Sequence, residues 1–185
     1  MTPARRGPGR ALLSVLLPIL LPMLLAGCGI AANGALQPTV PPTPQVSLSA
    51  TLQVCRTDLV TTLSAAGFNL VQPSSPVRPG ESQILTGAPR TVGQVQLPGD
   101  PDHGFIVLYG FPDPASAYAA AQQQAAYIGS GEGRIQFVPD SKFTLRQNGS
   151  CVLFYSWSPS ASTDPRSPAI DTALQAFGVA ISIPR

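Results

Sequence analysis

"KFTLRQNGSCVLFYSW", residues 142–157, sets Asn148-Gly149 between two segments of alternating apolar character. An Asn-Gly pair in that setting predicts a type I′ hairpin with a two-residue turn. Such a turn pairs Leu145 with Val152 and Phe143 with Phe154 on one face. Cys151, Leu153, Tyr155 and Trp157 then share the opposite face. Asn148-Gly149-Ser150 also matches a glycosylation acceptor, but the turn accounts for the triplet. Both faces of the hairpin are apolar, so both need cover.

Working outward, "FIVLY" at 105–109 is apolar on both faces and predicts the most buried, central strand. Further strands are expected around Gln83–Thr86, at Thr91–Leu97 and at "RIQFV", residues 134–138. Asp113-Pro114 pairs an N-cap with a proline at the first helical position. The helix it opens puts Tyr118, Ala121, Ala125 and Ile128 on one side and stops at Gly129. Ser167-Pro168 opens another, with Ile170, Ala173, Leu174 and Phe177 on one face, closed by Gly178. "VAISI" after it adds an edge strand. Upstream, Leu52, Cys55, Leu59, Leu63 and Ala66 recur at helical spacing and Gly67 supplies a left-handed stop, so a helix from Ser49 to Ala66 points Cys55 inward.

The N-terminus has a different character. Arg5, Arg6 and Arg10 stand in the first ten residues without an acid, and the chain is then apolar to Ala26, broken by Ser14, Pro18 and Pro22. A basic head, an apolar stretch and small residues at the exit make a secretory signal peptide over residues 1–27. A retained transmembrane helix wants about 20 apolar residues, and each proline removes a helical hydrogen bond. Gly7-Pro8 after Arg5-Arg6 favours general export over the twin-arginine route. Leu25-Ala26-Gly27-Cys28 resembles the lipobox of bacterial lipoproteins. That resemblance implies diacylglycerol attached to Cys28 by a thioether, and cleavage before it. Each buried acyl methylene contributes about 0.8 kcal/mol, so two or three chains hold a domain at a bilayer.

With Cys28 acylated, Cys55 and Cys151 remain. Two distant cysteines in an exported chain read as one disulfide. If Cys151 bonds Cys55, the first helix covers the Cys151 face of the hairpin. The Phe143 face then needs another helix, the loop before Ser167, or a partner protein. Residues 28–46 include "LQPTVPPTPQ", a Pro-rich tether that is part polyproline II. Residues 47–185 are expected to form a single domain. Three of the 11 basic residues and none of the nine acids leave with residues 1–27, so the remainder carries eight basic and nine acidic side chains. A formal charge of −1 offers no field for nucleic acid, and that class is excluded.

The order helix, three strands, helix, strand and hairpin, helix reads as α+β: an antiparallel sheet with about three helices packed on it and one disulfide. "LSAAGF", "YGFPDPASAYAAA" and "LRQNGSCVLFY" together resemble small uncharacterised lipoproteins of environmental bacteria, in which one such domain follows a lipobox and a Pro-rich tether. The resemblance implies fold and location and no activity.

Chemistry-bearing residues are few. His103, the one histidine, lies with Asp100 and Asp102 in "GDPDHG", a weak metal or acid–base candidate whose Pro, Asp and Gly content is that of a turn. A serine nucleophile would need His103 as its base, yet there is no Gly-x-Ser-x-Gly elbow. "GSGEGR" at 129–134 lacks the lysine and the strand-before-helix context of a P-loop and reads as a flexible loop. Asp113 and Asp171 read as helix-terminal groups. Tyr155 and Trp157 are the candidate recognition surface, Trp157 lying beside the loop "SPSASTDPRSP".

The expectation is therefore a non-catalytic binding or structural domain, lipid-anchored through Cys28 on the outer face of the cytoplasmic membrane, or at the outer membrane where there is one. No catalytic set, metal site or cofactor is assigned. Partners are the bilayer itself and an envelope protein or small ligand. Two other classes compete: a cell-envelope hydrolase using His103, which needs that residue in a cleft beside a nucleophile, and a subunit of an envelope complex, which needs an uncovered apolar hairpin face.

Overall fold

The computed structural model describes residues 48–74 and 77–184. The expected signal peptide, the lipobox with Cys28, and residues 28–46 lie outside the described residues. What is described is an α+β unit of five helices and six strands: α1 (Leu48–Ala65), β1 (Leu70–Val71), α2 (Gln83–Thr86), β2 (Arg90–Val95), β3 (Phe105–Gly110), α3 (Pro114–Gly129), α4 (Gly131–Arg134), β4 (Lys142–Asn148), β5 (Cys151–Trp157), α5 (Ser167–Leu174) and β6 (Val179–Ala180). All strand pairings are antiparallel, in the order β1-β2-β3-β5-β4-β6. β3 and β5 take the centre because their side chains are apolar in both directions, and β6 closes the β4 edge as expected.

Alternation along the central strands divides the core in two. Ile106, Leu108, Cys151, Leu153 and Tyr155 meet Cys55, Leu59 and Leu63 of α1 and Ile170, Leu174 and Phe177 from α5 and the turn after it. Val107, Tyr109, Leu145, Val152 and Phe154 meet Ala117, Ala120, Ala121, Ala125 and Ile128 of α3. Helices thus cover both faces of the sheet. Cys55 and Cys151 form a disulfide with Cα atoms 6.5 Å apart, joining α1 to the start of β5. The Phe143 side of the hairpin, whose cover was open between three answers, is covered by α3. Alanines on α3 bring its backbone close, and a strap of residues 77–89 packs Leu85, Ile84 and Ala88 beside it.

The turn of the hairpin differs from expectation by one position. Asn148 pairs with Cys151 and Leu145 with Phe154, so Gly149 and Ser150 form the turn. Gly149 takes the positive φ, +54°, that Asn148 was expected to share. Moving the turn by one residue slips each pairing by two, which leaves every side chain on its expected face. Gln83–Thr86 is a helical turn rather than a strand. "RIQFV" is not a strand either: Ser130 Oγ accepts from Gly133 N at 3.1 Å and caps α4 within "GSGEGR", and Ile135 follows 79 % exposed. Tyr118 is exposed, since the buried stripe of α3 runs through Ala117, Ala121, Gln124 and Ile128. Asp113 caps α3 as expected, accepting from Ser116 N at 2.8 Å. α5 begins at Ser167 with Arg166 as its N-cap, and Asp164 accepts from Arg166 N. Asp171 is not a helix-terminal group; it lies within α5 and accepts from Thr144 Oγ1 on β4.

Candidate functional site

The Asp-Pro-Asp-His stretch forms the turn between β2 and β3. Asp100 is buried, at 4 % exposure, while Asp102 is open to solvent. His103 N donates to Asp100 O at 3.3 Å, and its Nδ1 lies 2.5 Å from Asp100 Oδ1. A carboxylate only accepts, so Nδ1 donates the proton and Nε2 is the ring nitrogen left over. The second carboxylate oxygen accepts from Thr163 N at 3.0 Å, and Thr163 Oγ1 donates to Gly99 O at 2.7 Å. Asp100 therefore fastens the β2–β3 turn to the loop before α5. Gln94 Nε2 tightens the same turn by donating to Pro101 O and His103 O. Of the three candidate metal or acid–base residues, Asp100 and His103 share a hydrogen bond in which Asp102 takes no part. Among the described residues no group of three or more His, Cys, Asp or Glu side chains is arranged to hold a metal ion.

His103 also lines a cavity of about 160 Å³. Its floor is Val107 and Phe154, its walls are Phe105, Val77 and Pro79, and Ser156 completes the polar rim with His103 and Asp102. Ser156 was not singled out in the sequence. It stands 53 positions from His103 and arrives there because β5 pairs with β3, Ile106 opposite Tyr155. A wider groove of about 470 Å³ includes Arg134, Lys142 and Phe143. Arg134 is already committed there: Nη2 donates to Pro139 O at 2.7 Å and the guanidinium lies 5.1 Å from the Phe143 ring centre.

The expected recognition pair divides. Tyr155 belongs to the core, 1 % exposed, and its hydroxyl donates to Ser167 O at 3.2 Å. Burial pushes its ionisation well above the ordinary tyrosine value, with Asp171 and Asp100 adding to the shift. Trp157 is half-buried against the α1–α5 side of the core, its Nε1 enclosed without a hydrogen-bond partner among the described residues. Among the described residues no helix is long and apolar enough to cross a membrane. No protein-family model, no curated protein and no solved structure matches the chain.

Proposed function

We propose that this chain is an extracytoplasmic lipoprotein: a non-catalytic binding domain held at the cell membrane by acylated Cys28 and spaced from it by residues 28–46. The observation that carries this reading is the Cys55–Cys151 disulfide, whose residues are 5 % and 0 % exposed within the core. A core disulfide is stable in an oxidising compartment and is rare in the cytosol. It also leaves Cys28 as the cysteine available for a lipid, in the Leu25-Ala26-Gly27-Cys28 register.

Two features favour binding over chemistry. Asp100 spends both carboxylate oxygens within the fold, on His103 and on Thr163. Ser156 sits in a paired strand rather than on a strained elbow of the kind that exposes a serine nucleophile. The envelope-complex reading drew on an uncovered hairpin face, and α3 occupies that face. The test is intact mass of the protein purified from bacterial membranes, with and without reductant and alkylation. A mass starting at Cys28 plus acyl chains, with alkylation gained only after reduction, is expected. A mass starting at Met1, or thiols alkylated without reductant, overturns the anchor or the compartment respectively.

A further inference from the structure

The cavity beside His103 is the most enclosed hollow described above and the one in which polar groups converge over an apolar floor. Val107 and Phe154 beneath it are 2 % and 1 % exposed, so the floor belongs to the rigid centre of the sheet. Asp100 Oδ1 fixes His103 through Nδ1, so in the neutral imidazole Nε2 is the acceptor, on a ring that cannot turn freely. Ser156 Oγ has no hydrogen-bond partner among the described residues, and a hydroxyl both donates and accepts. The rim therefore offers one acceptor at His103, one donor–acceptor at Ser156 and, at its exposed edge, the Asp102 carboxylate, a set that receives an O–H group. An apolar cavity of about 150 Å³ holds a molecule the size of benzene, and this one is about 160 Å³.

We infer that the cavity formed by Val77, Phe105, Val107, Phe154, His103 and Ser156 binds a small apolar molecule bearing one hydroxyl group, of about the size of phenol. The ring lies on Val107 and Phe154, the ligand hydroxyl donates to His103 Nε2, and Ser156 Oγ donates to the ligand oxygen. Asp100 touches no ligand and acts as a positioning residue for the imidazole. This inference rests on the reading of the domain as a binding module and is independent of the anchor at Cys28.

The probe is phenol, titrated into the full-length, detergent-extracted protein and followed by two-dimensional NMR. Saturable shifts confined to Val107, Phe154, Ser156 and their neighbours are expected. Anisole keeps the ring and the oxygen but cannot donate, and should bind about tenfold more weakly, the loss of one well-placed hydrogen bond. Ser156→Val leaves the Asp100–His103 pair intact and should weaken phenol by about threefold to tenfold. His103→Ala weakens it too, but also frees the Asp100 carboxylate, so the valine variant is the cleaner reading. Shifts clustered elsewhere, equal binding of anisole and phenol, or no saturation up to about 10 mM phenol would each overturn the assignment. Release of phenol from phenyl acetate faster than by Ser156→Ala would instead make the site catalytic, and would overturn the non-catalytic reading with it.

Discussion

Tyr109 of the central strand donates its hydroxyl proton to Glu81 Oε1 at 2.7 Å, tying the strap of residues 77–89 to the sheet. The Glu81 side chain is 2 % exposed and also meets Arg90 at 2.8 Å and Arg78 at 2.9 Å. Both arginines are partly solvated, which tempers the ion pairs, yet an unpartnered carboxylate at this depth would be costly. Burial, and then the hydrogen bond to Glu81, push the Tyr109 ionisation far above its ordinary value of 10.0. The folded state thus holds this proton more tightly than the unfolded chain. Its contribution is complete below pH 10 and is lost as pH rises toward the folded value. Tyr109→Phe should cost about 1–2 kcal/mol at neutral pH. It should also flatten the fall in urea midpoint between about pH 8 and about pH 11. A variant with the wild-type alkaline slope would show that Tyr109 does not carry it.

The Cys55–Cys151 bridge closes a loop with a sequence separation of 96. On the chain-entropy account, such a loop contributes about 4–5 kcal/mol by restricting the unfolded chain. Cys55→Ala/Cys151→Ala should therefore lower the urea midpoint steeply. The denaturant slope should rise, because the unlinked unfolded chain exposes more surface. Reduced wild-type protein should behave like the double variant. Equal stability of the oxidised and doubly substituted proteins would remove the bridge from the account of the fold.

These two ties differ in how openly the sequence displays them. The bridge was legible from two cysteines, one on a helical stripe and one beside a hairpin turn. Glu81 was not, because a strap with no periodicity carries no pattern to read. Patterns failed where they were short. Gln83–Thr86 is too brief to separate a strand from a turn of helix, and "RIQFV" alternates yet follows a capped helix whose geometry turns Ile135 outward. On α3 the stripe holds at Ala121, Ala125 and Ile128, but its first turn buries Ala117, and the larger Tyr118 assigned to the stripe faces solvent. The hairpin kept its faces despite the shifted turn, since a slip of two preserves the alternation. At the candidate site, Asp100 and His103 were visible as neighbours three apart. Ser156 comes to the same cavity as His103 only when β3 pairs with β5.

The loop before α5 should be acid-sensitive. Hydrogen bonds from the Arg166 side chain, then from its backbone N–H, hold the Asp164 carboxyl well below the ordinary aspartate value of 3.8. Asp140 is lowered first by the Ser158 hydroxyl and further by Ser160 N–H. A depressed folded value means the contribution is present above the ordinary carboxylate range and is lost as pH falls through the folded value. Backbone amides of residues 160–166 should therefore lose protection against hydrogen exchange, relative to the intrinsic rate at each pH, below about pH 4. Asp164→Asn should exchange faster already at neutral pH, with a shallower acid dependence. Identical exchange in variant and wild type would assign the loop's order to the Asp100–Thr163 bond alone.

Gln124 makes the strongest polar demand on the α3 face. It is fully buried, its Oε1 accepts from Ser82 N at 2.7 Å and its Nε2 donates to Gly80 O at 2.9 Å. Leucine has a similar size but answers neither group, and two buried backbone groups left unpaired should make Gln124→Leu cost about 2–4 kcal/mol. Glutamate in the same place separates the two bonds. Ionised, it still accepts from Ser82 N but sets a negative charge against the Gly80 carbonyl in a dry site; protonated, it can donate to that carbonyl and restore both bonds. The Gln124→Glu protein should therefore be less stable than wild type at neutral pH and should recover as pH falls toward about 5. That sign is opposite to the acid loss expected from Asp164. Urea midpoints at the two pH values decide it: a glutamate variant that weakens further on acidification would show that the strap is not held through the Gln124 amide.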